Sequence, residues 1–349
     1  MRRTACALAA LFALGAPAAP APIVAADSAD MALRLDPAPW GGAPLTVMTY
    51  NVHGLPWPVI ADRGAALDAI GTRLAALRAR GAAPHVVVLQ EAFSSAARRI
   101  GARSGYRYVL DGPGTDAVSP FPETPLPQRY RRRGEGLGAW LTSGLVLLSD
   151  YPVVASWQAV FPRSDCAGYD CLANKGVMLA RISVPGLALP VDLVTAHVNS
   201  RTATHTPLDH ADAAYQRQLV LVARFVRDHS DPRLPLIFAG DLNLDSVDLR
   251  IAALEGARAG WVAARGDSQG GAVVAICGRR VGPCHLGLGF GSIETGQRNN
   301  DWQIFAGGRD VAIRATQARL HFRPDGAGRM LSDHQALIVD YRLALRGGG

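Results

Sequence analysis

Apolar runs recur every few tens of residues from Leu45 to Tyr341, with no long polar or low-complexity stretch between them. The first, Leu45-Thr-Val-Met-Thr-Tyr-Asn51, is rich in β-branched and aromatic residues and closed by Gly54 and Pro56, which predicts a buried strand. His85-Val-Val-Val-Leu-Gln90 predicts a second. Shorter runs predict strands over Gly144 to Leu148, Val177 to Val184, Val191 to His197, Leu234 to Ala239, Trp302 to Phe305 and Ala336 to Tyr341. Ala61 to Arg80, Ala211 to Asp228 and Ser246 to Ala257 carry apolar residues at helical spacing. Strands outnumber helices and several follow one another directly, which favours mixed sheets covered by helices over a strictly alternating parallel fold. Two irregular stretches, Gly112 to Gly138 and Arg265 to Asn300, are long enough to carry function. No repeat of solenoid length is visible.

The start of the chain breaks this pattern. Arg2 and Arg3 precede an apolar run from Ala5 to Ala16 and a small-residue tract ending Val24-Ala25-Ala26, the layout of a secretory signal peptide over residues 1–26. That run falls short of the about 20 residues that span a bilayer, and Cys6 has no small-residue lipobox before it. Residues 27–44, rich in Ala, Pro and Asp, predict an N-terminal tail, and residues 45–344 predict one large domain. The expected location is secreted or periplasmic. After cleavage Cys166, Cys171, Cys277 and Cys284 remain, and in an exported protein their spacing predicts disulfides Cys166–Cys171 and Cys277–Cys284. The alternative is reduced thiols, or a zinc site made with His285.

Composition adds little beyond exclusion. With 49% hydrophobic and 19% charged residues, the 349-residue chain is not disordered, collagenous or a coiled coil. The net charge of +7 includes the two arginines of the leader, so it permits an anionic partner without demanding one. Of the 36 Lys and Arg residues only Lys175 is a lysine. A chain that uses arginine elsewhere, yet keeps one ammonium, has a position that needs a compact charge.

The informative polar residues fall at predicted strand ends, where a rigid ladder aims side chains that are free to leave the core. Asn51 ends the first strand, Glu91 follows the second, His197 ends another, and Asp241 and Asn243 follow Leu236-Ile-Phe-Ala-Gly240. Asp301 opens one strand, and Asp333-His334 precede the last. Singly, Asn51 and Asp241 read as turn residues, Glu91 as a solvated charge and His197 as a core histidine. Together their chemistry is coherent. Glu91 with the amide oxygen of Asn51 and water suits Mg²⁺, a hard cation that keeps several waters. Asp301 orients His334 for acid or base work, and His197, Asn243 and Lys175 are donors for charge growing on a phosphoryl oxygen. The set is that of metal-assisted phosphoester hydrolysis. A Ser or Cys elbow, a phosphate-binding Gly-rich loop with Lys-Ser/Thr and a His-Glu-x-x-His helix are all missing, and Gly287-Leu-Gly-Phe-Gly291 fits no dinucleotide fingerprint.

In this order Thr49-Tyr-Asn51, Leu89-Gln-Glu91, His197, Gly240-Asp-Leu-Asn243, Asp301-Trp302 and Ser332-Asp-His334 resemble the endonuclease/exonuclease/phosphatase superfamily from Leu45 to Leu343. The resemblance implies an α/β (α+β) four-layer sandwich of two mixed β-sheets flanked by helices. It also implies Mg²⁺, with Mn²⁺ or Co²⁺ as alternatives, held chiefly by Glu91 and Asn51, and in-line attack by water on a phosphoester. Asp241 and Asn243 would bind and polarise water and phosphate, while His334 pairs with Asp301. Asp170-Cys-Leu-Ala-Asn-Lys175-Gly-Val177 and Tyr50-Asn-Val-His-Gly-Leu-Pro56 narrow the resemblance to the neutral sphingomyelinase branch, in which an Asp and a Lys reach into the site as a switch. Here they would be Asp170 and Lys175. The chain departs from that branch at Asn199, where a glutamine is expected, at Cys171 inside the switch, and in lacking an aromatic hairpin before Asp333. Trp57 and the Phe121 region are the substitutes for membrane contact.

The expected function is hydrolysis of a phospholipid headgroup, sphingomyelin first, by a monomer with peripheral membrane contact. The alternative is a secreted endonuclease or deoxyribonuclease of the same superfamily, with Arg129, Arg131, Arg132 and Arg133 on nucleic-acid phosphates. A binding module without turnover is disfavoured by the joint presence of Glu91, Asp241 and His334.

Overall fold

The computed structural model describes residues 32–34, 41–124, 129–245, 247–262, 265, 267–272, 275 and 300–347. The expected leader, Cys6, Cys277, Cys284 and His285 lie outside the described residues. The strands are β1 (Ala32–Arg34), β2 (Ala43–Asn51), β3 (Val86–Gln90), β4 (Tyr108–Asp111), β5 (Val146–Ser149), β6 (Val153–Val160), β7 (Gly176–Ile182), β8 (Val191–Ala196), β9 (Leu236–Asp241), β10 (Asp267–Gly271), β11 (Asp301–Gly307), β12 (Val311–His321) and β13 (Ala336–Leu345). The helices are α1 (Gly64–Ala79), α2 (Ser95–Arg98), α3 (Ile100–Ser104), α4 (Leu208–His229) and α5 (Asp248–Val262).

They build two mixed sheets, ordered β1-β12-β13-β2-β3-β5-β4 and β10-β11-β9-β8-β7-β6. Among the described residues each sheet has one parallel pair, β2 with β3 and β8 with β9, among antiparallel neighbours. Alternation along the central strands sorts the layers. Leu45, Val47, Val86 and Val88 pack against Leu193, Ile237, Ala239 and Phe305 between the sheets. Met48, Tyr50, Val87 and Leu89 face Leu67, Ile70, Leu74 and Ile100 of the α1 and α3 side. On the other sheet Leu179, Val194 and Phe238 pack against Tyr215, Leu219, Val222 and Phe225 of α4. Helix, sheet, sheet and helix therefore form the four-layer sandwich, and strands buried on both faces read as continuous apolar runs.

The structure corrects the sequence reading at the edges. Ala32–Arg34 pairs antiparallel with β12 at Gln317 to Arg319, and β2 opens at Ala43, so part of the expected tail is in the sheet. Strands β4, β6, β10 and β12 were not expected as strands. Half-buried residues alternate with exposed ones along most of β6, and buried with half-buried ones along much of β12, and where Ala, Arg and Gln fill the outer positions of β12 no apolar run appears.

A parallel pair delivers both strand ends to one edge. Asn51 and Glu91 thus leave the first sheet together, and an isolated bridge between His197 and Asp241 extends β8 and β9 at the edge of the second. Gly240 permits that bridge, since a Cβ there would lie 2.4 Å from the Ala196 carbonyl oxygen. A buried polar ladder sets the registry of the two sheets. Gln303 donates to the carbonyls of Val47 (2.9 Å) and Leu337 (3.0 Å), and Gln90 bonds Thr195 at 3.4 Å.

His85, at the mouth of β3, accepts the Thr46 N–H on Nδ1 at 2.9 Å, which requires a neutral ring. Burial holds its pKa below 6.5, with Asp150 and Asp340 opposing. A histidine depressed in the folded state lets the unfolded chain bind more protons, so stability is undiminished above about pH 6.5 and falls as pH drops below it. His85→Asn, which keeps an acceptor near Nδ1, should flatten the decline in thermal unfolding temperature between pH 7 and pH 5. An unchanged slope would remove His85 from the acid response.

Candidate active site

The strand ends converge on a cavity of about 530 Å³ lined by Glu91, Asp170, Lys175, His197, Asp241, Asn243, Asp301, Asp333 and His334, with Leu55, Leu141 and Tyr169 among its walls. Every catalytic residue expected from the sequence lines it, as does Glu91. Asn51 lies just beneath, at 1% exposure.

Asp241 is the hub. Its Oδ2 accepts the Asn51 Nδ2 at 2.9 Å and lies 3.6 Å from His197 Nε2 and 3.9 Å from His334 Nε2. Its Oδ1 accepts the Asn243 N–H at 3.0 Å. Burial would raise this carboxyl, but the His197 and His334 imidazoles and these amide donors hold it below the usual carboxylate value. Asn51 Nδ2 also donates to Glu91 Oε1 at 2.9 Å, while its Oδ1 accepts the His53 N–H at 3.0 Å. The amide thus presents its nitrogen to both carboxylates.

Glu91 has φ 55° and Asn243 has φ 44°, left-handed backbone at two residues of the site, which marks local strain held by the surroundings. Glu91 Oε2 is buried without a hydrogen-bond partner among the described residues. Burial pushes Glu91 up to about 7, against the Asn51 hydrogen bond and the Lys175 charge. One ligand atom from each of Glu91, His197 and Asp241 lies within 4.8 Å of the others, a grouping fit for a cation. The sequence reading drew the metal ligands from Glu91 and Asn51. In the structure this grouping adds His197 and Asp241.

Lys175 immediately precedes β7 and its side chain is 5% exposed. Its ammonium donates to Asp170 Oδ2 (2.8 Å) and to the Val198 carbonyl (3.2 Å), and lies 3.4 Å from His197 Nε2. These partners match its three N–H donors, so it acts on a neighbouring anion by charge until one bond is given up. Burial and the ammonium push His197 down to about 4, which keeps it neutral. Asp170 Oδ2 also accepts the Ser200 N–H at 2.6 Å. The tight turn Gly168–Leu172 that carries Asp170 is closed by a disulfide between Cys166 and Cys171, as expected for that pair.

His334 Nδ1 lies 2.5 Å from Asp301 Oδ2. Burial alone would lower the imidazole, but Asp301, with Asp241 and Asp333 adding charge, holds its pKa well above 6.5. Asp333 is set apart from the buried groups: its side chain is 58% exposed and faces His53 Nδ1 at 3.4 Å.

Several supporting residues escaped the sequence reading. Arg250, fully buried in α5, donates to Asp212 (2.7 Å) and to the carbonyls of Asn199 (2.9 Å) and Asn243 (2.7 Å), fixing the loop that carries Asn243. Asn199, where the branch expects a glutamine, accepts the Ala167 N–H at 3.0 Å and so anchors the disulfide turn. Glu135 accepts the Gly168 N–H at 2.8 Å from the other side. Local sequence gave no signal for Arg250 or Glu135. Phe121 is buried in the α4 core and offers nothing to a membrane, whereas Trp57 is 81% exposed. Phe322, the aromatic residue between β12 and β13, stacks on Tyr50 inside the protein. Among the described residues no helix is long and apolar enough to cross a membrane.

Comparison with known proteins agrees with this geometry. The fold resembles sphingomyelinase C from Streptomyces griseocarneus (TM-score 0.53, 20% identity, 85% of this chain and 99% of that one). It also resembles a beta toxin variant from Staphylococcus aureus with bound magnesium ions (TM-score 0.54, 16% identity, 84% and 98%). A third similar structure is TDP2 of D. rerio complexed with single strand DNA product (TM-score 0.51, 16% identity, 86% and 99%). At these identities the likeness shows the fold alone. A search of curated protein sequences gave no significant match. The profile of the Endonuclease/Exonuclease/phosphatase family matches residues 48–334, from within β2 to His334, and the chain belongs to that family.

Proposed function

We propose that the protein is an exported, Mg²⁺-dependent phosphodiesterase that hydrolyses a phospholipid headgroup, with sphingomyelin its first substrate, acting as a monomer at a membrane surface. The observation that carries this reading is the chain's one lysine, buried beside Asp170 and His197 on the wall of the cavity that holds Glu91, Asp241 and His334. Trp57 and Trp140, 81% and 66% exposed, stand close in sequence to the cavity-lining Leu55 and Leu141 and supply apolar contact for a lipid surface.

The residues present fit a hard divalent cation. Glu91 brings an unpartnered buried oxygen, Asp241 a second carboxylate and His197 a neutral ring nitrogen, while Asn51 holds both carboxylates in place from its amide nitrogen. Bound there, the cation supplies Lewis-acid neutralisation of phosphoryl charge. Lys175 adds positive charge beside it, held by Asp170. Asn243 places an amide beside Asp241 to orient water or phosphate. His334, charged by Asp301, holds a proton at Nε2 for the group that needs it.

A nuclease is the second reading, favoured by the exposed turn Arg131–Arg133, whose Arg133 donates to the hydroxyl of the cavity-lining Tyr169 at 3.3 Å. The substrate arms separate the two: purified protein is offered sphingomyelin vesicles and plasmid DNA, each with Mg²⁺ and with EDTA. Lipid hydrolysis that EDTA abolishes is expected, and DNA cleavage without lipid hydrolysis would move the assignment to the second reading.

Removal of the principal ligand tests the metal. Glu91→Gln should keep the fold, abolish most activity at ordinary Mg²⁺, and lose the rise in thermal unfolding temperature that Mg²⁺ gives the native chain. Native turnover in EDTA, or wild-type turnover in the variant, would overturn the assignment.

The branch rests on Lys175. A planar guanidinium cannot reproduce three donors spread around one nitrogen, so Lys175→Arg and Lys175→Ala should both lower sphingomyelin hydrolysis by roughly 10²-fold, the scale of a lost charge-stabilising donor. Asp170→Ala should follow closely. An Arg variant equal to wild type on every substrate would show a lysine with no part in the reaction.

A further inference from the structure

We infer that Arg63 is a positioning residue that sets His334 against Asp301 by clamping two loops. Its guanidinium donates from Nε to the His53 carbonyl at 2.8 Å and from Nη2 to the carbonyls of Val52 (2.9 Å) and Leu331 (2.6 Å). The first two lie just beyond the end of β2, and the third lies three residues before His334, across 268 residues of sequence. Arg63 itself sits at the start of α1, a helix packed on the outer face of the first sheet. The clamp therefore refers the irregular segment before β13 to the same rigid layer that carries Asn51.

The next two residues repeat the attachment. Ser332 Oγ donates to the Asn51 carbonyl at 2.7 Å and receives the His334 N–H at 3.3 Å, and Asp333 faces His53. His53 has φ 50°, a conformation uncommon for a residue with a Cβ, and its carbonyl is the one Arg63 Nε holds. Three consecutive residues, Leu331 to Asp333, are thus fastened to the exit of β2 before His334 emerges toward Asp301 in the other sheet. A planar fork with fixed donors fits three carbonyls from two loops, and a lysine ammonium cannot span them in that plane. Arg63 touches neither Asp301 nor the imidazole, and it does not line the cavity. Its effect passes through the loop.

This inference rests on the proposed role of His334 in proton transfer. The test uses the full chain with bis(4-nitrophenyl) phosphate and Mg²⁺, thermal unfolding, and the downfield proton resonance of the His334–Asp301 N–H, assigned by its absence in His334→Ala. In Arg63→Ala, kcat should fall by roughly 10- to 100-fold, the scale of an ångström-sized misplacement. KM should hold, and the downfield resonance should broaden or shift while the unfolding temperature changes by a few degrees only. Arg63→Lys should recover part of kcat. Native kcat with an unshifted resonance in Arg63→Ala would overturn the inference. So would collapse of the fold in both variants, which would make the arginine a structural strut. Because the resonance and the unfolding temperature need no turnover, an inactive native chain would count against the proposed reaction and leave the clamp to be judged on those two readouts.

Discussion

The buried carboxylate of Asp241 is the interaction on which the rest of the site depends. A charge taken out of water costs several kcal/mol unless partners replace its hydration, and no single sheet provides enough of them here. Asn51 comes from the first sheet, Asn243 and His197 from the second, and His334 from the loop that leads back to the first. Compensation of one charge thus requires the two sheets to meet at one edge and in one registry. The Gln303 and Gln90 bonds between the sheets keep that registry a few residues below.

Two parallel pairs make this meeting possible. An antiparallel hairpin sends consecutive strand ends to opposite edges, whereas a parallel pair sends both to one, and stacking two such pairs gathers four strand ends over a small area. Asn51, Glu91, His197 and Asp241 are those four ends. The same geometry explains the electrostatics. Depth depresses His197 and raises Glu91 by the same cause acting on opposite charges, while His334, tied to Asp301, is raised in spite of it. One layer of the protein therefore holds a neutral imidazole and a charged one a few ångströms from the same oxygen.

The parts legible in the sequence were those with short-range causes. Central strands buried on both faces announce themselves as apolar runs, and the polar residue that ends each run is conspicuous, which is how Asn51, Glu91 and Asp241 stood out. The β12 strand stayed hidden because Ala, Arg and Gln occupy much of it. Asp333 was legible as part of Ser332-Asp-His334 but points to His53 at the rim, since adjacent residues leaving a turn need not face one way. Arg250 and Arg63 were illegible for another reason. Their partners lie as far as 51 and 268 residues away, and nothing in the local pattern at a helix start distinguishes an arginine that bonds carbonyls from one that is solvated.

The departures from the sphingomyelinase-like pattern become intelligible on the same terms. Asn199 and Cys171 look like interruptions when aligned with a switch of Asp170 and Lys175, yet both act on the turn that carries Asp170. The disulfide closes the turn, Asn199 accepts its Ala167 N–H, and Glu135 accepts its Gly168 N–H. A carboxylate that must hold an ammonium at 2.8 Å and a backbone N–H at 2.6 Å needs a turn with little freedom, because each ångström of drift weakens both bonds together. Buried hydrogen bonds and a covalent link can deliver that rigidity with different residues. In this chain the disulfide, Asn199 and Glu135 together hold the turn that sets Asp170 against the Lys175 ammonium and the Ser200 N–H.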